Sequence, residues 1–301
     1  MRPLLVTGSS GQIGWELRRS LSTFGELLAP SRRELDLSRP DTVAAYVRKI
    51  RPAVVINPAA YTAVDKAEAE PDEAQRVNAE SVQALAEVCA ELDCLLVHYS
   101  TDYVFDGRKT TPYLETDEPN PDSVYGRSKL AGERAIQVVG GRHLIVRTSW
   151  VYGARGKNFL LTMLRLARER EQLRVVADQF GAPTWCRTIA DATAQMLRAF
   201  PLHDAPPAAL VHLSGAGRTT WHDFAARIVS EGSRRGLTRD VSVLPITTSD
   251  YPTAAPRPAQ SALCCDLLES AFGVVMPRWE DSLALCLDDI AALAPGWHGP
   301  T

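Results

Sequence analysis

A chain of 301 residues is long enough to bury a sizeable core, and with 45% hydrophobic and 23% charged residues it has an ordinary globular composition, which excludes a disordered or fibrous protein. Its formal net charge of -3 provides no global positive field to recruit nucleic acid or an anionic membrane, so neither partner is expected. The opening MRPLLVTGSS holds only a three-residue apolar run, too short for a signal-peptide core or a membrane span, and a cytoplasmic setting is expected.

In chain order the pattern predicts a strand in PLLVTG, a helix in QIGWELRRSLSTFG, a strand in ELLAP, and a helix in DTVAAYVRKI. A strand in AVVINPA, a helix in PDEAQRVNAESVQALAEVCAELD, a strand in CLLVHYST, a helix in SKLAGERAIQVVG and a strand in HLIVRTSW follow. This alternation specifies an α/β fold, a doubly wound parallel sheet of Rossmann-like type, whose ligands lie beyond the carboxyl ends of its strands. Past about residue 151 the alternation weakens: the helix NFLLTMLRLARERE gives way to loops carrying Gly, Pro and Trp. The proline-rich PITTSDYPTAAPRP at 245–258 suits neither a helix nor a central strand and reads as an ordered loop or lobe boundary. The expected division is therefore 1–150, mainly a nucleotide-binding domain, and 151–301, mainly a smaller C-terminal substrate-binding lobe with some segments returning to the first domain. Cys89, Cys94, Cys186, Cys264, Cys265 and Cys286 form no CxxC pair and no zinc-type cluster, so reduced and mostly buried thiols are expected.

VTGSSGQIG places Gly8, Gly11 and Gly14 in G-x-x-G-x-x-G spacing directly after the first strand and at the start of a helix. Such glycines let the backbone turn tightly and approach a pyrophosphate held by the free N–H groups of the helix N-terminus, and Ser10, Gln12 and Ile13 belong to the same candidate site. A plain Gly/Ser turn has the same composition, but the strand-loop-helix context favours a nucleotide. After the second strand, APSRRELD has Ser31, Arg32 and Arg33 where an acid would select NAD, and cationic groups there suit the 2′-phosphate of NADPH. Solvated arginines are the plain alternative, which leaves NADH open as the donor. Asp36 and Leu37 in ELDLS are expected to flank the adenine after a third short strand, and Ala59, Ala60, Tyr61 and Thr62 in NPAAYT to border the ribose and pyrophosphate.

YGRSK puts Tyr125 and Lys129 at i and i+4 on one face of a helix beginning near PDSVYG. A Lys cation beside a phenol favours the phenolate, lowering a pKa near ~10, and the same lysine can hydrogen-bond a nicotinamide ribose; Tyr125 becomes a candidate proton donor. The strand CLLVHYST ends in Ser100 and Thr101, hydroxyls suited to hold a carbonyl oxygen as it becomes an alkoxide. A Tyr/Lys pair alone is commonplace on helices. Its combination with a glycine loop and a strand-end Ser/Thr is far more specific.

Those motifs, together with GQIGWELRRSL, INPAAYTAVDKAEAEP, VHYSTDYVFDG, YGRSKLAGE, RTSWVYG, DQFGAPTW, TTWHDFA and YPTAAPRP, resemble the extended short-chain dehydrogenase/reductase superfamily and, within it, the dTDP-4-dehydrorhamnose reductase family, over nearly the full length. The resemblance implies reduction of the 4-keto group of a dTDP-sugar, dTDP-4-dehydro-β-L-rhamnose, by NADPH to give dTDP-β-L-rhamnose. It implies that Thr101 orients the keto oxygen, that Tyr125 protonates it, and that Lys129 tunes Tyr125 and holds the ribose. Asp102 and Trp150 match family positions lining the sugar pocket, and Arg257 in the proline-rich segment is the candidate phosphate contact. A core aromatic and a surface charge are the respective plain alternatives for Trp150 and Arg257.

Some similar family members are dimers bridged by magnesium on glutamates. Glu16 matches one of these, but Arg187 in PTWCRTIAD stands where the second is expected, and a cation cannot serve as a hard-metal ligand. The expectation is no such magnesium bridge, and a monomer or weakly associated homodimer. A nucleotide-sugar dehydratase would need an Asp-Glu pair after Thr101, where this chain has Asp102 and Tyr103. An epimerase, or a non-catalytic NADP-binding regulatory subunit or sensor of the same fold, stands as the alternative.

Overall fold

The computed structural model describes residues 2–200 and 208–293. β1 (Leu4–Val6) runs through the glycine loop into α1 (Gln12–Ser20), and β2 (Leu27–Leu28), α2 (Pro40–Ile50) and β3 (Val54–Asn57) follow. Next come α3 (Val64–Ala69), α4 (Pro71–Gln75), α5 (Ser81–Glu91), β4 (Leu95–Thr101), α6 (Val124–Val139) and β5 (His143–Thr148). The second half contributes β6 (Val151–Tyr152), α7 (Phe159–Glu169), β7 (Gln172–Val176), β8 (Phe180–Gly181), β9 (Thr184–Trp185) and α8 (Cys186–Ala199). β10 (Ala208–His212), β11 (Thr219–Thr220), α9 (Trp221–Arg234), β12 (Ser242–Ile246), α10 (Asp266–Phe272) and α11 (Trp279–Ala292) complete it.

Among the described residues, six strands form one sheet in the order β10-β5-β4-β3-β1-β2, every neighbouring pair parallel. Leu17 of α1 and Leu21 just after it, Ile189 and Met196 of α8, and Leu268 of α10 bury against one face. Val43 and Val47 of α2, Leu85 of α5 and Ile136 of α6 bury against the other. Cover on both faces explains why β4 reads as a run without polar alternation: all seven of its residues are buried. α8, β10 and α10, all beyond residue 151, thus pack with the sheet, while Leu160 and Leu164 of α7, Phe224 and Ile228 of α9 and Leu283 and Leu287 of α11 build a separate core. Among the described residues, no helix is long and apolar enough to cross a membrane.

The short strand expected at ELDLS is absent; residues 32–35 form a turn instead. Side chains there satisfy the backbone locally, with Ser31 N–H donating to Glu34 (2.7 Å) and Ser38 N–H to Asp36 Oδ1 (3.0 Å), while Leu35 and Leu37 still bury in the core under α2. The helical run at 71–93 is interrupted by a π-helical turn, Arg76–Glu80. Asn78 in that turn receives the Tyr61 N–H (2.8 Å) and donates to the Tyr61 carbonyl and Ser128 Oγ (3.0 Å each), tying the loop after β3 to α6. α6 starts within PDSVYG, where expected: Ser123 Oγ caps Gly126 N–H (3.1 Å) and Glu68 accepts the Val124 N–H (2.8 Å).

Candidate active site

The carboxyl edge of the sheet opens into a cleft of about 810 Å³. At one end lies the glycine loop. Gly8 takes φ +54°, and a Cβ there would stand 2.9 Å from Ala59 Cβ; a Cβ on Gly14 would stand 2.2 Å from the Gly8 carbonyl oxygen. Only hydrogen fits at these two points, so α1 can start directly under the loop. Its N-cap is Gly11, with no side chain satisfying the first N–H groups, which leaves them for an anion. Ser10, Gln12 and Ile13 line the same end, and Asn158 Nδ2 steadies Gln12 by donating to its Oε1 (2.9 Å).

Of the residues expected around the adenosine, Arg32, Asp36 and Leu37 line the cleft, whereas Ser31 and Arg33 do not. Arg32 is largely exposed and lies 3.5 Å from Asp36 Oδ1. Ala59, Ala60, Tyr61 and Thr62 line the opposite wall, where the Tyr61 hydroxyl donates to Glu70 (2.8 Å).

At the other end β4 delivers Thr101, Asp102 follows it in the next turn, and α6 delivers Tyr125 and Lys129, all facing the cleft and all nearly inaccessible to solvent. Thr101 Oγ1 donates to Asp102 Oδ1 (3.0 Å), while Asp102 Oδ2 has no partner; burial pushes the Asp102 carboxyl up to about 6, with Ser261 and Thr101 drawing it partly back. Tyr125 stands edge-on to Tyr103, ring centroids 5.6 Å apart. The sequence suggested that Lys129 would draw the phenol toward neutral pH; among the protein's own groups, burial instead pushes Tyr125 up to about 12, only partly countered by Thr101. The phenol is therefore protonated at neutral pH, the form a proton donor needs. Burial holds the Lys129 ammonium down to about 8, with Glu133 opposing the shift.

Two further hydroxyls in this wall, Ser100 Oγ and Thr148 Oγ1, are buried without a protein partner. Buried orphans at a cleft are groups awaiting a ligand. Together with the open helix start and the bare Gly8 cradle, they fit a bound dinucleotide carrying an amide and hydroxyls. Thr148, Ser149 and Tyr103 escaped the sequence reading; the strand-end rule that found Thr101 applies equally to HLIVRTSW and points to Thr148.

Trp150 follows β5 in a left-handed conformation, φ +46°, and lines the cleft. Arg257 does not line it: its Nη2 pairs with Asp65 Oδ2 (2.6 Å) and its guanidinium lies 5.9 Å from the Tyr103 ring, fastening the proline-rich segment behind Tyr103. Arg187 meets Glu16 directly, Nε to Oε2 at 3.2 Å, and pairs with Asp289 as well. No group of three or more His, Cys, Asp or Glu suited to a metal occurs among the described residues.

A family model described as the RmlD substrate binding domain matches residues 1–292. A dTDP-4-dehydrorhamnose reductase of Burkholderia thailandensis is 49% identical over 293 residues, 95% of this chain and 98% of its own. A solved dTDP-4-dehydrorhamnose reductase from Clostridium acetobutylicum is similar with a TM-score of 0.89 and 35% identity, covering 96% of this chain and 99% of that one. A third, from Bacillus anthracis in complex with NADP, has a TM-score of 0.87 and 34% identity over 96% and 99% of the two chains.

Proposed function

This chain belongs to the dTDP-4-dehydrorhamnose reductase family, and we propose that it reduces the 4-keto group of dTDP-4-dehydro-β-L-rhamnose to give dTDP-β-L-rhamnose. The observation that carries the reading is one cleft holding both the glycine loop and the buried Thr101, Tyr125 and Lys129. NADPH supplies the hydride when bound. The open N–H groups at the start of α1 would hold its pyrophosphate, and Arg32, which lines the same cleft, would meet its 2′-phosphate.

The chain's own residues perform the rest. The Thr101 hydroxyl and the Tyr125 phenol hold the keto oxygen, and as negative charge grows there Tyr125 gives it a proton. The phenol is protonated at neutral pH, and burial only deepens that preference, so the donor is ready before the substrate arrives. Lys129 serves Tyr125 and the nicotinamide ribose. Asp102 accepts a sugar hydroxyl through its unpartnered Oδ2, and Trp150 packs on the sugar ring. Arg257 reaches a phosphate only by releasing Asp65, so its support for the nucleotide diphosphate passes through the proline-rich segment it anchors. The lobe built on α7, α9 and α11 is the substrate-binding lobe. A cytoplasmic setting agrees with six free cysteines, and a monomer or weak homodimer agrees with the Arg187–Glu16 pair in place of a carboxylate cluster.

The test is loss of reduced-nicotinamide absorbance with the keto-sugar as substrate, with product analysis and a Tyr125→Phe control. Stoichiometric oxidation yielding dTDP-L-rhamnose is expected, with kcat of Tyr125→Phe lower by roughly 10²–10⁴-fold and NADPH binding nearly intact. Tight NADPH binding without oxidation would favour a sensor, and turnover retained by Tyr125→Phe would remove that phenol from the mechanism.

A further inference from the structure

Behind Lys129 a chain of buried polar side chains crosses three strands of the sheet. Thr7, just after β1, donates from Oγ1 to Asn57 Oδ1 on β3 (2.5 Å); Asn57 Nδ2 faces His98 Nδ1 on β4 (3.1 Å); His98 Nε2 faces Lys129 Nζ on α6 (3.0 Å). Lys129 Nζ also donates to the Tyr99 carbonyl (2.7 Å). All four side chains are at most 1% exposed, and a polar row buried this deeply is costly unless each member is paired.

Two donor orders satisfy the row, one for each protonation state of Lys129. With the Asn57 oxygen on Thr7, its amide donates to Nδ1 and the imidazole hydrogen lies on Nε2, toward Nζ, which suits a neutral Lys129 amine. Burial, and next the nearby Lys129, push the His98 pKa well down, and the ring is neutral. An amine at Nζ accepts that N–H, gives one hydrogen to the Tyr99 carbonyl and keeps one for the cleft. Turning the Asn57 amide by half a revolution reverses the row and offers the Nε2 lone pair to the ammonium, the form that Lys129, held down to about 8, keeps at neutral pH. The neutral ring therefore serves both protonation states of the lysine. Glu133, one turn further along α6, is not available for this task because Arg147 holds it in a buried bidentate pair (3.0 and 2.7 Å).

We propose that His98 is a positioning residue for Lys129: the imidazole, oriented by Asn57 and Thr7, and the Tyr99 carbonyl together fix Nζ so that its remaining hydrogen-bonding direction points into the cleft. The proposal rests on the reading of Lys129 as the group that serves Tyr125 and the cofactor ribose.

Two variants separate the ends of the ring. The amide of His98→Gln reaches the position of Nε2 and still meets Nζ, whereas that of His98→Asn reaches only the position of Nδ1. NADPH dissociation constants from fluorescence titration, and kcat and KM for the keto-sugar, are read on both. His98→Gln should stay within about threefold of wild type, and His98→Asn should lose roughly tenfold in kcat and in NADPH affinity with KM for the sugar unchanged. Equal values for the two variants would overturn the proposal. Should His98→Asn fail to fold, Thr7→Val, near-isosteric and remote from Nζ, should lower kcat in the same way; wild-type kinetics there would also overturn it. A wild-type protein that turns over no keto-sugar would defeat the functional reading, while the NADPH affinities of the Gln and Asn variants would still decide the role of His98.

Discussion

The indole rings of Trp150 and Trp221 stack face to face, centroids 3.5 Å apart and planes 6° from parallel, joining the end of β5 to the first residue of α9. Trp150 adopts a left-handed backbone to do so, and its ring lies against Gly181, where a Cβ would approach Cε2 to 2.4 Å. Gly181→Ala must therefore displace an indole that lines the cleft. The variant should lose about 1–3 kcal/mol of stability by urea titration and raise KM for the keto-sugar by roughly tenfold, with NADPH affinity unchanged. An unaltered KM would take Trp150 out of the sugar pocket.

The Asp102 carboxyl makes stability depend on pH in an unusual direction. Its pKa is raised from 3.8 to about 6 in the folded protein, so between these values the folded state holds a proton that the unfolded chain releases. Stability from this group is full below about pH 4 and falls as pH rises to about 6, by an amount on the order of 3 kcal/mol. Urea titration of wild type and Asp102→Asn at about pH 4 and about pH 7 should find the Asn variant gaining on wild type at the higher pH. A difference that does not change with pH would return Asp102 to an ordinary carboxyl.

Arg32 lines the cleft and Arg33 does not. Arg32→Ala should reduce the ratio of kcat/KM for NADPH over NADH by roughly tenfold, the size of one charge-assisted phosphate contact, and Arg33→Ala should leave it nearly unchanged. An equal ratio in wild type and Arg32→Ala would make that arginine a solvated surface charge.

Arg187 brings its guanidinium to the carboxylate of Glu16, and Arg19 meets the same oxygen at 3.2 Å. A carboxylate already paired with two cations is a poor ligand for a divalent ion. Treatment with EDTA should change neither activity nor mass in solution by light scattering; a clear loss of either would overturn this account of Arg187.

Contiguous spacing made much of this protein legible. Gly8, Gly11 and Gly14 after an apolar run, Tyr125 and Lys129 at i and i+4, and Thr101 closing β4 each express one short piece of backbone, and a few residues suffice to write such geometry. The alternation of strand and helix likewise specified the doubly wound sheet. ELDLS misled because its turn is held by Glu34 and Asp36 side chains, which compete with strand pairing without altering the apolar pattern of Leu35 and Leu37. What only the tertiary structure decided lies between residues far apart in the chain. Arg257 reads as free to meet a phosphate until folding sets it against Asp65, and His98 reads as an ordinary strand residue until parallel register puts it opposite Asn57 and packing brings α6 over it. Spacing along a chain constrains neighbours on one element. Which elements meet, and at what register, is settled by burying the faces of a whole sheet at once.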